Sequence, residues 1–578
     1  MTDDGRTGRG TFPPVTKRIP VAYTGAGARS GPVTMSQRNV LRAMRHQTTD
    51  GHNFTLWQIV DLPAGTGLDD VTRAVAGLLT AYESLRTGFT LGDDPVQHVA
   101  GSGTIPLSVH EAGDAADEEA ADLAARYTSA RFDPAEPAPL RVGVVTREDV
   151  PVKVVFVFSH LAVDAASVWI LLRRFEHLLT PGTRAVPPAR QPIDQAEVER
   201  SDLGRRRADA ALRHWRERLT RGPQSMFAVP LHPAGRAVYR SARLRSRLAA
   251  AGAAAVAART RTSPSAVVLA TVAALIGLRA DRRTCLITSV AGNRSAPELR
   301  DYVGPLAQDA LLLLDLSAPT FDTLVRKTWS SAIGAYRHSQ FDAIRLWETV
   351  ETVDRTRGTN FARDCVFNDQ SDYSAAGRPA KAARARQEGE TEFTWLPAGF
   401  VPARFVFYVN RLDDTAEFVL WADTRRLPAP GIEAFLRGAE SVLAAAAGTD
   451  VDLGRLEEIT GVTPVERGDR WRFADACWVD LDDVRALLHE ALDLEAGEVF
   501  AEGERLVAYL VPKGDPPTPA EIHAACRALL PDRESAMTPH HYVVCAHAPP
   551  DPHDPARWAR AAVLAEGSGR ELTVREAP

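Results

Sequence analysis

The run Val154-Val155-Phe156-Val157-Phe158-Ser159-His160 narrows the choice of fold more than any other part of the chain. Its first five residues are all β-branched or aromatic, the composition of a buried strand. Three apolar residues follow, Leu161 to Val163, and then the period changes. Val168, Trp169, Leu172, Phe175 and Leu179 recur at helical intervals, and Pro181-Gly182 ends the pattern. A buried strand that turns directly into an amphipathic helix is the building unit of an α/β fold. The same alternation recurs along the chain. Helices are predicted over 36–44, 69–83, 165–179, 208–219 and 264–279. Strands are predicted over 54–62, 140–146, 152–159, 284–290, 404–409, 417–422, 479–481 and 506–511.

Length sets the number of cores. With 578 residues, 45 % hydrophobic and 25 % charged, the chain has ordinary globular composition and can bury several. The punctuation divides it into a flexible Gly/Arg/Pro-rich leader over 1–30, a first α/β lobe over 31–186, and a polar connector over 187–221. A second α/β lobe follows over 222–447, then a smaller α+β unit over 448–578. Ser374 to Thr391, with almost no large apolar residue, reads as a mobile loop.

A formal net charge of -6 provides no general basic field for nucleic acid or an anionic membrane. Cys285, Cys365, Cys477, Cys526 and Cys545 lack any CxxC or Cys/His spacing, so neither a disulfide framework nor a metal site is expected. The absence of an apolar core in the leader argues against a secretion signal or a membrane span. A reducing cytoplasm is the expected compartment.

His160 and Asp164 are the candidate chemical groups. The strand delivers His160 to a sheet end, a common position for functional groups in α/β sheets, where a neutral imidazole can accept a proton. Asp164 can cap the following helix or meet a buried arginine. Spacing alone leaves the alternative open. A lone His after an apolar strand is more often a satisfied structural residue, and an Asp before a helix is more often only a cap.

The segment from Ser159 to Ala165 resembles the H-H-x-x-x-D-G signature of nonribosomal peptide synthetase condensation domains, relatives of chloramphenicol acetyltransferase. In that family the second His is the active-site residue and the Asp is structural. The resemblance implies those roles for His160 and Asp164. Ser159 replaces the first His, and Ala165 replaces the Gly. Further motifs follow in the family's order: Ser36-Gln37, Tyr82 to Phe89, Phe132-Asp133 with Pro139-Leu140-Arg141, His214-Trp215, Gly292-Asn293-Arg294 through Tyr302-Val303-Gly304, and Trp421 to Thr424. Arg294 stands where the family has an arginine that can pair with the motif Asp, while the family's Asn-Thr is replaced by Gln308-Asp309. The pattern covers roughly residues 31 to 445. Asp164 and Ser167 also fit the heterocyclisation motif D-x-x-x-x-D-x-x-S, but its first Asp is missing and His160 remains. The acidic segment that marks epimerisation domains is absent near Gly292-Asn293-Arg294.

The resemblance implies two chloramphenicol-acetyltransferase-like lobes in a V-shaped pseudo-dimer, with a small α+β domain appended. It implies a stand-alone condensation enzyme that joins a carrier-bound acyl thioester to an amine or alcohol. The acceptor is either a small molecule or carrier-bound. No cofactor is expected on the enzyme itself, because the phosphopantetheine arrives on a peptidyl or acyl carrier protein in trans; the chain has no G-G-x-S carrier motif. The alternatives are a non-catalytic scaffold that recruits carrier proteins or tailoring enzymes, and an acyltransferase using acyl-CoA. No lysine/arginine cluster marks a site for the latter's phosphates.

From about Val451, the stretches Arg467 to Arg470, Val479 to Val484, Leu506 to Pro512 and Met537-Thr538-Pro539 resemble the small C-terminal subdomain of adenylation domains. That subdomain normally brings a lysine to an acyl phosphate. Pro549 to Pro555 contains none, so no ATP chemistry is expected of it, and packing or carrier docking is the implied role.

Overall fold

The computed structural model describes residues 16–46, 54–184, 186–188, 190–230, 238–372, 391–399 and 401–570. The first fifteen residues of the expected leader and 374–390 of the expected mobile loop over 374–391 lie outside them. The chain separates into two compact units. The first comprises 1–206 with 292–308, and the second comprises 207–291 with 309–578.

In the first unit the strands are β1 (Lys17–Thr24), β2 (Arg29–Pro32), β3 (Thr55–Asp61), β4 (Thr87–Thr90), β5 (Val96–Val99), β6 (Ser102–Glu111), β7 (Leu140–Arg147) and β8 (Val150–Ser159). The helices are α1 (Met35–His46), α2 (Leu68–Ala81), α3 (Ala116–Ser129), α4 (Ala165–Leu179) and α5 (Pro192–Arg200). The main sheet has the order β1-β6-β7-β8-β3, with a small β2-β5-β4 sheet beside it.

From Val154 to Phe158 β8 is apolar without interruption because both of its faces are covered. Val154, Phe156 and Phe158 enter the core shared with α2 and α4, while Val155 and Val157 enter the cluster beneath α3. Phe156 packs edge-on to Phe175 of α4, with ring centroids 5.0 Å apart. This sandwich holds the C-terminal end of β8, where His160 follows, in place.

The leader expectation is corrected at its C-terminal half. Lys17–Thr24 forms the edge strand β1, paired in register with β6 from Lys17↔Val109 to Thr24↔Ser102, and Arg29–Pro32 pairs with β5. Val21 and Tyr23 alternate into the core, but charges and Pro20 dilute the pattern. An edge strand tolerates that proline.

The second unit begins within α6 (Asp202–Arg221), so the expected connector is two helices, α5 and α6. It contains β9 (Tyr239–Ser246), β10 (Thr284–Ala291), β11 (Gln308–Asp315), β12 (Cys365–Asp369), β13 (Glu392–Trp395), β14 (Phe405–Leu412) and β15 (Ala416–Asp423). These form a seven-stranded sheet in the order β11-β10-β12-β14-β15-β9-β13. Helices α7 (Arg247–Thr260), α8 (Pro264–Ala280), α9 (Phe321–Tyr336), α10 (Ala343–Arg357) and α11 (Ala429–Gly448) complete this part. α8 is buried over most of its circumference and lies in the core of the unit. Among the described residues no single helix is long and apolar enough to cross a membrane.

The C-terminal stretch is α+β, and it is grouped with the second unit rather than standing apart. A hairpin, β16 (Trp471–Ala474) with β17 (Cys477–Asp480), precedes a sheet of β18 (Leu494–Glu502), β19 (Arg505–Pro512), β20 (His541–Cys545) and β21 (Val563–Gly567). This sheet shares a core with α12 (Leu481–Ala491) and α13 (Pro519–Leu529).

Phe156, 1 % exposed, is the test of the sandwich around β8. Phe156→Ala is expected to destabilise the chain by about 3–5 kcal/mol in denaturant unfolding, through lost transfer energy and a cavity beside Phe175.

Candidate active site

The site is assembled around the turn from β8 into α4. The His160 amide donates to Phe54 O at 2.7 Å, while Ala162 N–H and Val163 N–H donate to Ser159 O at 3.0 and 3.3 Å. Ser84 donates its hydroxyl to Ala162 O. The half-buried His160 side chain thus projects from a turn anchored on both sides. Its Nδ1 lies 2.8 Å from Val163 O. A carbonyl can only accept, so Nδ1 carries a proton, and the neutral tautomer that fits this bond has its lone pair on Nε2.

Asp164 is fully enclosed and serves two purposes. It caps α4, with Oδ1 accepting from Ser167 N at 2.9 Å. It also receives both arms of Arg294, Nη1 to Oδ2 at 2.8 Å and Nη2 to Oδ1 at 2.7 Å. The amides of Leu306 and Ala307 add bonds to Oδ2 at 2.9 and 3.1 Å. Burial alone would raise the carboxyl's pKa. The charge of Arg294 and the bonds from Arg294, Leu306 and Ser167 outweigh it and hold the value at about 2.

Arg294 also reaches Gly292 O at 3.1 Å and Gly304 O at 3.0 Å. Ser167 Oγ accepts from Gly304 N at 3.0 Å. Gly304 has φ +154°, and a Cβ there would lie 2.7 Å from the Tyr302 hydroxyl. Only glycine brings this backbone so close to Tyr302 and Ser167. Residues 292–308 therefore belong to the first unit by their bonding to the start of α4.

Two further residues had been singled out. Ala165 opens α4 and is absent from the positive-φ residues, so its methyl group imposes no backbone strain. Ser159 is buried, pairs with Thr55 of β3, and accepts the Leu161 amide at 3.3 Å, which gives its hydroxyl a turn-bracing contact.

Other motif residues hold the frame. Arg86 is buried and donates Nε to Leu79 O at 3.0 Å. Arg141 lies 3.8 Å over the Phe132 ring. His214 bonds Leu311 O at 2.9 Å through Nε2, and burial lowers its pKa to about 4. The sequence reading missed the Val163 carbonyl, Ser84 and the 304–307 backbone as parts of the site. Ser167 carried a signal, three residues after an N-cap Asp, but backbone donors leave none. Among the described residues no group of three or more His, Cys, Asp or Glu is placed to hold a metal ion.

A buried histidine turn braced by an Asp–Arg pair from a distant segment is the arrangement expected of a condensation domain. Residues 29–395 match the condensation-domain family, and the chain belongs to that family. It is 27 % identical over 335 residues to phosphinothricin tripeptide synthetase PhsB of Streptomyces viridochromogenes, covering 55 % of this chain and 28 % of that protein. The chain thus spans under a third of that relative's length. The condensation domain from Monacolin K polyketide synthase MokA is similar over 74 % of this chain and 100 % of its own, with a TM-score of 0.61 at 16 % identity. The X-domain from teicoplanin biosynthesis is similar over 73 % and 96 %, with a TM-score of 0.58 at 18 % identity. At these identities the structural likeness shows the fold.

The depressed Asp164 pKa has a defined pH signature. Its contribution to stability is fully present above the ordinary value of 3.8 and is lost as pH falls toward 2. Denaturant unfolding between pH 7 and pH 2 is expected to show a loss of about 2 kcal/mol from this group. Asp164→Asn should remove that component while lowering stability at neutral pH, since Arg294 loses its counter-charge.

Proposed function

We propose that this chain catalyses amide or ester formation between an acyl thioester on a carrier protein and an amine or alcohol acceptor. His160 Nε2 acts on the nucleophile. The observation that carries the reading is the Nδ1–H bond to Val163 O, which leaves a basic nitrogen on an oriented, half-buried imidazole.

The acceptor's N–H or O–H bonds to Nε2, and its heteroatom attacks the thioester carbonyl. The C–N or C–O bond forms, the C–S bond breaks, and the proton taken by Nε2 is returned to the leaving thiolate. Asp164 and Arg294 touch no reacting atom in this scheme. They position the turn that carries His160. The phosphopantetheine arm belongs to the partner carrier and enters as substrate.

Ser159, standing where the family's first histidine would be, favours a second reading. In it the chain is a non-catalytic scaffold that recruits carrier proteins or tailoring enzymes.

Acyl-loaded carriers incubated with the protein and a panel of amines and alcohols, followed by intact-mass spectrometry, separate the two. Acceptor-dependent unloading is expected, with His160→Ala slowing it by about 10² to 10⁴-fold at unchanged carrier affinity. Tight carrier binding with no unloading by the wild type would establish the scaffold instead.

A further inference from the structure

The stretch from about Val451 onward resembles in sequence a subdomain that delivers a lysine in adenylation domains, yet Pro549 to Pro555 lacks that lysine. Its packing identifies a different task. Glu534 is the centre of the first contact. Its carboxylate takes Arg426 Nε at 2.7 Å and also pairs with Arg404, both from the part of the unit that precedes it in the chain. Arg426 is 5 % exposed and is bound on its other side to the fully buried Asp423. Without Glu534 two largely enclosed guanidinium groups would face each other with Asp423 and Asp364 as their acidic partners among the described residues.

The second contact is Arg357 at the end of α10. Its Nε meets Asp475 Oδ2 at 2.9 Å, and the same guanidinium bonds Gly222 O at 2.7 Å and Leu219 O. One buried cation thus ties the β16–β17 hairpin to both α10 and the end of α6.

The third contact is backbone to backbone. Thr538 N–H donates to Gly358 O at 2.8 Å, and Val465 N–H to Arg279 O at 2.9 Å. Gly358 ends α10 with φ +70°, and a Cβ there would lie 1.8 Å from Thr538 Oγ1. A left-handed glycine has been placed where the C-terminal stretch sits directly on the helix end. Gln224 adds side-chain bonds to Ala536 O at 2.8 Å and Glu534 O at 3.1 Å.

We propose that residues 456–570 are a fixed wall of the second unit, required for its folding, and not a subdomain that reorients during turnover. Detachment would take Asp475 from Arg357 and Glu534 from Arg404 and Arg426, and would break backbone bonds along with the side-chain ones. A mobile subdomain is joined by contacts that water can replace at little cost, whereas this boundary is built from desolvated charges.

Hydrogen exchange on the full chain tests this directly. The Thr538 and Val465 amides are expected to exchange as slowly as those of β10 and β12, through a single global opening. Exchange of these two amides 10²-fold or more faster, with the β19–β20 ladder still protected, would mean that the wall swings away as a body and would overturn the proposal. Independently, Glu534→Ala is expected to raise the unfolding equilibrium constant of the whole chain by about 10² to 10³-fold within one cooperative transition. A separate early transition for the C-terminal stretch, or an unchanged midpoint, is the contrary result. Neither readout depends on the chain having acyl-transfer activity.

Discussion

The pair between Asp164 and Arg294 is the interaction on which the site depends. A carboxylate with 2 % of its surface exposed is costly unless nearly every lone pair is used, and here a guanidinium and three backbone amides use them. Each of these donors also sets a piece of chain. Ser167 N–H begins α4, Leu306 and Ala307 bring in the 304–307 backbone, and Arg294 holds its own loop through the Gly292 and Gly304 carbonyls. One carboxylate is thus the common partner of three separate pieces of chain.

The histidine is positioned by a different device. β8 is covered on both faces, so its last residues have no freedom to move relative to α2, α3 and α4. The turn then folds back far enough for His160 Nδ1 to reach the carbonyl three residues on. That single bond selects the tautomer, and the Asp164 network fixes the chain on which the carbonyl sits. Orientation of the imidazole therefore comes from backbone geometry and not from a carboxylate, the device used in Ser-His-Asp triads.

Much of the fold was legible because burial leaves a mark on sequence. The uninterrupted Val/Phe run of β8 and the periodic stripe of α4 appear at the expected places, α4 with the expected ends at Ala165 and Leu179. Edge and connecting elements were harder to read. β1 needs only Val21 and Tyr23 inside, so charged residues and a proline can occupy the remaining positions. α5 left no periodic signal in a stretch that reads as a linker, whereas the expected helix over 208–219 lies inside the longer α6. The C-terminal stretch was legible as a unit of its own, but its attachment was not. Glu534, Arg404 and Arg426 are ordinary surface-type residues until packing removes their water.

By itself the sequence determined the strand–turn–helix that carries His160, the class of fold around it, and which residue types were available for the site. These are properties of neighbours in the chain, encoded in period, capping and turn chemistry. Only the tertiary structure decided that Arg294, 130 residues away, closes on both oxygens of Asp164, and that a backbone carbonyl chooses the imidazole tautomer. It also decided that Asp475 and Thr538 of the C-terminal stretch bond to the end of α10, whose Arg357 also holds the end of α6. Backbone donors and acceptors are identical at every position, and the energy of a charge depends on how much water its surroundings exclude. Neither quantity exists until the chain has folded.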